Sequence, residues 1–388
     1  MTQALHEKFQ QIHNELATEF FERREHIEVI GIGLLSGHNV YLLGDPGTAK
    51  SLLVRKYAKR VTAANYWETL LDRQLPLEAI FGPVDLLALR NGDYHRKTNG
   101  KAPEAHFLFF DEVGKAGPAV LNPLLTLLNE GIYHNNSKPM DCNIRVAVGA
   151  SNEELEPELA AMWDRWLLRM IVNSIQEPTN FASLITSGPK ATQNPTTVTL
   201  TEVDAAREEV ADITVPPGIA DKVIELKTEL QAEQVDPSDR RWRQAMDVVR
   251  AAAWLNGRPI VEDDDLAVLR HVLWDVVEQI PKVEKLVLKH SSEFAAAAIG
   301  LDRELDEVDA KLTAHKGRSL AERSGYGSEA QVILANVLSK VSDMGEKARR
   351  QGRSTTKLDE VEGRVRHLRK RVFIECMDVP ADRAELIG

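Results

Sequence analysis

The sequence predicts an α/β core built on a parallel sheet, followed by all-helical parts, and three observations carry that reading. Val40 to Leu43 is a short apolar run that enters a glycine-containing turn, after which Ser51 to Arg60 has a helical pattern. Further buried strands are expected at Phe107 to Phe110, Ile144 to Val148 and Leu168 to Val172, with helical stretches such as Ala119 to Asn129 between them. After the fourth strand the pattern is helical throughout. Strands that alternate with helices need crossover connections, which give a parallel sheet covered on both faces.

The elements before the first strand are helical. Phe9, Ile12, Leu16, Phe20, Ile27 and Ile30 recur at helical intervals, and Gly37 stops the pattern. Two segments interrupt the strand–helix alternation. Leu86 to Lys97 carries Asn91-Gly92, and Ile132 to Asn143 carries Asn135-Asn136, both turn signals expected of hairpins. Beyond the fourth strand, Pro216-Pro217-Gly218 and Asn256-Gly257-Arg258-Pro259 punctuate a helical region, and Ser238-Asp239 reads as a helix cap.

The last part has heptad-like spacing. Leu301, Leu305, Val308 and Leu312 form one stripe; Leu334, Val337, Val341 and Met344 a second; Leu358, Val361, Val365, Leu368 and Val372 a third. Breaks near Gly317 to Ser328 and Gly352 to Ser354 separate them. The expected organisation is therefore a core over 1–176, a helical lid over 177–300 and a helical bundle or coiled coil over 301–388.

Composition narrows the class. The 388 residues are 43% apolar and 28% charged, as in a folded soluble chain, and the formal charge of −11 implies no general affinity for polyanions. The two cysteines, Cys142 and Cys376, show no zinc or redox spacing, no histidine pair has metal-ligand spacing, and no apolar run is long enough for a membrane span. A reducing, cytoplasmic setting is expected.

Gly44-Asp45-Pro46-Gly47-Thr48-Ala49-Lys50-Ser51, leading into Leu52, has the spacing of a phosphate-binding P-loop, with Ala49 where a second glycine is usual. Phosphates need open backbone N–H groups and a helix N-terminus. Lys50 is long enough to reach β- and γ-phosphates, and the Ser51 hydroxyl suits Mg²⁺. Phe107 to Phe110 then ends in Asp111-Glu112, sixty residues after Ser51. Burying the apolar run puts Asp111 at the carboxyl edge of the sheet, where it can hold Mg²⁺ while Glu112 takes a proton from water. Asn152 follows the third strand and could orient that water without adding charge. Two arginine groups, Arg165 with Arg169 and Arg240 with Arg241, could meet charge growing on the γ-phosphate.

Together these residues resemble AAA+ ATPases of the MoxR group, and within it the RavA branch, over roughly residues 20 to 300. The marks are GDPGTAKS from Gly44, Phe81-Gly82-Pro83, FFDEVGKAGPAVLNPLLTLLNE from Phe109 to Glu130, GASNE from Gly149, DRWLLR from Asp164 to Arg169 and SDRRWRQAM from Ser238 to Met246. The resemblance implies that ATP and Mg²⁺ are used, that Asn152 is sensor 1, and that Arg165 is the arginine finger with Arg169 in reserve. It implies Arg240 as sensor 2 with Arg241 in reserve, and makes the two turn-bearing segments a helix-2 insert and a pre-sensor-1 hairpin facing the pore or substrate. It further implies a hexameric homo-oligomer working with a von Willebrand factor A domain partner on a protein client. The tail departs from RavA, since no β-rich inserted domain is readable and residues 301–388 offer only helices.

Two other readings belong to different classes. A nucleic-acid motor is suggested by ten Lys or Arg against four Asp or Glu between Glu346 and Arg371, a local charge of +6, although aromatic side chains for base stacking are missing. A nucleotide-gated scaffold with little turnover is the other.

Overall fold

The computed structural model describes residues 4–136, 138–154, 163–186, 192–315, 319–351 and 355–378. They fall into two compact units, Met1–Val283 and Glu284–Gly388.

The first unit begins with α1 (Leu5–Glu19) and α2 (Arg24–Ser36). Gly37 ends α2 at φ 76°, the left-handed conformation that spares glycine a Cβ clash, and its N–H caps Gly33 O. The chain then enters β1 (Val40–Leu43), crosses the P-loop and forms α3 (Lys50–Ala58). Next come β2 (Val61–Thr62), β3 (Tyr66–Leu70), α4 (Leu77–Phe81), α5 (Leu86–Arg90), β4 (Phe107–Asp111), α6 (Pro118–Glu130), β5 (Ile132–Asn135), β6 (Lys138–Asp141), β7 (Val146–Ser151) and β8 (Leu168–Ile171). The five-stranded sheet has the order β3-β4-β7-β1-β8, and every pair in it is parallel. All residues of β1 and β7 are buried, as they are in a strand covered on both faces.

Three local expectations shift. Tyr66–Leu70 is an edge strand that alternates in exposure and so lacks a continuous apolar run. The third expected strand starts two residues later, at Val146. The segment from Leu86 is no hairpin: Asp85 caps the short helix α5 by accepting from Leu87 N and Ala88 N, and Asn91-Gly92 ends it. The other turn does close an antiparallel hairpin, β5 with β6, from Ile132 opposite Asp141 to Asn135 opposite Lys138.

The helical continuation comprises α7 (Pro178–Thr186), the short strand β9 (Val198–Thr199) paired with β2, α8 (Leu200–Ala211), α9 (Pro217–Ala232), α10 (Asp239–Leu255) and a 3₁₀ segment at Asp263–His271. Ser238 caps α10 through Arg241 N. A buried ion network pins α1 to the end of the P-loop helix. Arg60 pairs with Glu15 at 2.6 Å and Glu19 at 3.0 Å, and Lys56 pairs with Glu19 at 3.0 Å.

The boundary between the units falls within α11 (Ile280–Ser291). The second unit contains α12 (Glu293–His315), α13 (Leu320–Arg350) and α14 (Thr356–Met377). Leu301, Leu305, Val308 and Leu312 pack with Leu334, Val337, Val341, Leu358, Val361, Val365, Leu368 and Val372 in one core. Residues 320–328 are helical, so the expected break near Gly317 to Ser328 does not extend through Ser328; 316–318 and 352–354 lie outside the described residues. Arg364 pairs with Asp302 at 2.7 Å and Arg371 with Asp309 at 2.6 Å, both seven residues apart, so α12 and α14 run parallel. Lys340–Glu304 and Lys347–Glu293 show α13 antiparallel to them.

Candidate nucleotide site

The loop after β1 owes its residues to three different constraints. A Cβ on Gly44 would lie 2.1 Å from Val172 O, so the close passage of the chain after β8 excludes any side chain there. Gly47 has φ 82° and open space where a Cβ would project. Ala49 has φ 66°, which explains why glycine is usual at this place and means that this chain carries some strain there.

Lys50 is buried and gives its ammonium to Gly44 O at 2.5 Å, Asp45 O at 2.9 Å and Thr48 Oγ1 at 3.3 Å. Burial lowers its pKa, and the nearby Asp111, Glu112 and Asp45 carboxylates only partly oppose that. Asp45, Pro46, Gly47 and Ala49 are exposed along the loop, as is Leu52 on the first turn of α3; Thr48 is buried and donates to Asp45 O at 2.8 Å.

Ser51 Oγ donates to Asp111 Oδ2 at 2.9 Å, joining the start of α3 to the end of β4. Asp111 Oδ1 accepts from Glu112 N at 3.1 Å. Glu112 itself has φ 56°, a conformation that costs a non-glycine residue of order 1 kcal/mol and turns its carboxylate away from the strand direction. Asn152 Nδ2 donates to Glu112 Oε1 at 2.9 Å, and Lys115 Nζ lies 3.2 Å from Oε2. Lys115 escaped the sequence reading, although its i+3 spacing from Glu112 was a signal.

Lys50, Ser51, Asp111, Glu112 and Asn152 therefore share the carboxyl edge of the sheet. Hard oxygen donors on Ser51 and Asp111 suit Mg²⁺, and among the described residues no cluster of three or more His, Cys, Asp or Glu could hold a metal without help. That fits an ion completed by substrate phosphates. The helix N-terminus at Lys50 and the open space above Gly47 fit the phosphates themselves.

The arginines lie elsewhere. Asn39, which precedes β1, donates to Arg165 O at 3.2 Å and to Leu128 O at 3.3 Å, so Arg165 and the end of α6 sit at the amino edge. Four residues of strand separate the two edges by about 13 Å. Arg240 is exposed and donates to Asn129 Oδ1 at that same amino edge. Arg241 is buried against Asp275 at 2.7 Å and Asp164 at 3.3 Å. Arg169 corrects an expectation. It is fully buried on β8, donates to Trp163 O, Trp166 O, Trp274 O and Asp275, and lies 4.3 Å from the Trp163 ring centroid, so it is not free to reach a neighbour as a reserve finger.

A parallel sheet of this order, a P-loop and an acidic strand end define an AAA+ P-loop NTPase fold with a helical lid. The chain belongs to the MoxR family: residues 7–214 match the profile described as "MoxR domain in the MoxR-vWA-beta-propeller ternary systems", and 218–287 match an AAA lid domain. Two uncharacterised proteins of Methanocaldococcus jannaschii are similar along most of their length. MJ0079 is 34% identical over 80% of this chain and 83% of its own, and MJ0812 is 35% identical over 77% and 80%. The crystal structure of a "putative ATPase" from Cytophaga hutchinsonii shares the fold, with TM-score 0.59 at 18% identity, covering 74% of this chain and 94% of that one.

Proposed function

We propose that this chain is a cytoplasmic ATPase that hydrolyses ATP with Mg²⁺ in a hexameric ring and uses the cycle to remodel a protein client. The observation that carries this reading is the convergence of Ser51, Asp111, Glu112 and Asn152 at one sheet edge. Lys50 and the loop N–H groups of Gly44 to Ser51 hold the phosphates, with Leu52 beginning the helix behind them. Ser51 and Asp111 hold Mg²⁺, which supplies charge neutralisation on the phosphate oxygens. Glu112 takes the proton of the attacking water and Asn152, as sensor 1, fixes the Glu112 carboxylate.

Arg165 stands at the edge opposite its own P-loop, so its proper target is the nucleotide of a neighbouring subunit; the same holds for Arg240 as sensor 2. A ring follows from that requirement. A von Willebrand factor A domain partner is part of the proposal because the matched family profile is named for systems that contain one. The RavA-like character of residues 20–300, and the division into a core over 1–176, a lid over 177–300 and an appendage over 301–388, belong to the same reading.

The nucleic-acid alternative loses its main support in the bundle. Arg364 and Arg371 are spent on Asp302 and Asp309, and Arg366 on Glu362. The test is capture: Glu112→Gln protein held with Mg-ATP should retain a protein client and a von Willebrand factor A domain protein from lysate. Retention of nucleic acid alone, with nuclease-sensitive ATP hydrolysis by the wild type, would reverse the choice.

A further inference from the structure

Arg165 is the outer end of a chain of alternating charges that runs into the protein. Its Nη1 lies 3.3 Å from Asp164 Oδ2. The other Asp164 oxygen is 3.3 Å from Arg241 Nη2; Arg241 Nη1 is 2.7 Å from Asp275 Oδ1; and that same oxygen is 3.0 Å from Arg169 Nη1. The sequence order gives no hint of this, because Arg169 and Asp275 are separated by 106 positions and Asp164 and Arg241 by 77.

The inner links are held hard. Arg169 is completely enclosed, clamped by the carbonyls of Trp163, Trp166 and Trp274, and stacked on the Trp163 ring. Burial drives the Arg169 pKa down to about 9, with the like charge of Arg241 adding to that and Asp275 opposing it. Burial alone would raise the Asp275 carboxyl, but Arg241 and Arg169 outweigh it and hold it below its ordinary value. Asp275 is thus the single carboxylate that both inner arginines share, and removing it leaves two like charges facing each other out of water.

Arg241 and Asp275 come from the region that matches the AAA lid, whereas Asp164, Arg165 and Arg169 come from the MoxR domain. We infer that Asp275 and Arg241 are positioning residues: through Asp164 they set where the Arg165 guanidinium stands, so the lid of one subunit controls the catalytic rate at the neighbour's nucleotide. This rests on the proposed role of Arg165 in trans. It assigns Arg241 a link in that chain instead of a direct phosphate contact.

The test uses full-length rings. Asp275→Asn should lower kcat by about 100-fold, the scale of a misplaced catalytic group, while KM for ATP and the affinity for a fluorescent ATP analogue stay unchanged. Its own Lys50, Asp111 and Glu112 are intact, so mixing it with Glu112→Gln subunits, whose finger is intact, should restore turnover at Asp275→Asn sites. A purely structural defect would leave those sites slow beside any neighbour, and that result overturns the inference. Arg165→Ala mixed with Glu112→Gln is the control. Recovery there without recovery for Asp275→Asn refutes the positioning role alone, whereas no recovery in either mixture refutes the finger itself. If Asp275→Asn does not give folded rings, Asp164→Asn, nearer the surface, takes the same test with the same two outcomes.

Discussion

Asn152 holds Glu112: its amide nitrogen lies 2.9 Å from Oε1, while Lys115 approaches the other oxygen at 3.2 Å. Both carboxylate oxygens are thus engaged before any water is considered. Glu112→Gln should keep ATP affinity within about twofold and lose turnover by at least the roughly 10²-fold that general bases contribute. Lys50→Ala removes the buried cation of the loop and should lose ATP binding itself. Equilibrium titration with a fluorescent nucleotide, alongside phosphate release, separates the two; equal affinity of Lys50→Ala and wild type would contradict the site.

Ala49 occupies a left-handed conformation that glycine adopts without a Cβ penalty. Ala49→Gly should therefore stabilise the fold by about 1 kcal/mol, raising Tm by about 2–4 °C. Calorimetry without nucleotide reads this directly. A fall in Tm would mean that the loop's unfolded-state entropy outweighs the strain.

How much of this was legible depends on where each residue finds its partners. Val40–Leu43 and Phe107–Asp111 were readable because both faces of those strands are buried, which leaves an unbroken apolar run in the sequence. Tyr66–Leu70 was not, since an edge strand alternates with solvent and carries a glutamate in its middle. Asn91-Gly92 misled because the same pair that tips a hairpin also ends a short helix, and only the Asp85 cap distinguishes them. The P-loop and the acidic strand end are local patterns. Asp275 has meaning only through Arg169 and Arg241, contacts that the fold creates.

The pairing of α1 with α3 should show as a pH effect. Burial would raise the carboxyls of Glu15 and Glu19, but hydrogen bonds from Thr196 and Arg60 to Glu15, and from Lys56 and Thr192 to Glu19, hold both below the model value of 4.5. With folded values depressed, their contribution is fully present above about pH 4.5 and is lost as pH falls through the lower folded values. Arg60→Leu should cost about 3–5 kcal/mol at pH 7 by stranding two carboxylates, and the difference from wild type should shrink below pH 4. Chemical denaturation across pH 3 to 7 measures it; a pH-independent difference would assign Arg60 to packing alone.

The last expectation concerns the basic run of the bundle. Between Glu346 and Arg371 the local charge is +6, yet Arg364 and Arg371 face Asp302 and Asp309 on the parallel helix α12, and Lys347 faces Glu293. Charges already compensated at 2.6 to 2.9 Å release few counterions on meeting a polyanion, because the pair must first be broken. The full-length protein should therefore bind duplex DNA weakly, with a shallow dependence on salt. Asp302→Asn with Asp309→Asn liberates two guanidiniums without touching the α12 stripe of Leu301, Leu305, Val308 and Leu312. If those pairs are what silences the face, log affinity against log salt should steepen by about two units of slope, since each phosphate contact adds close to one. Fluorescence anisotropy from 50 to 300 mM salt gives both slopes. A steep slope already present in the wild type would show that the basic face is available, and would return the nucleic-acid motor to contention against the protein-remodelling ring.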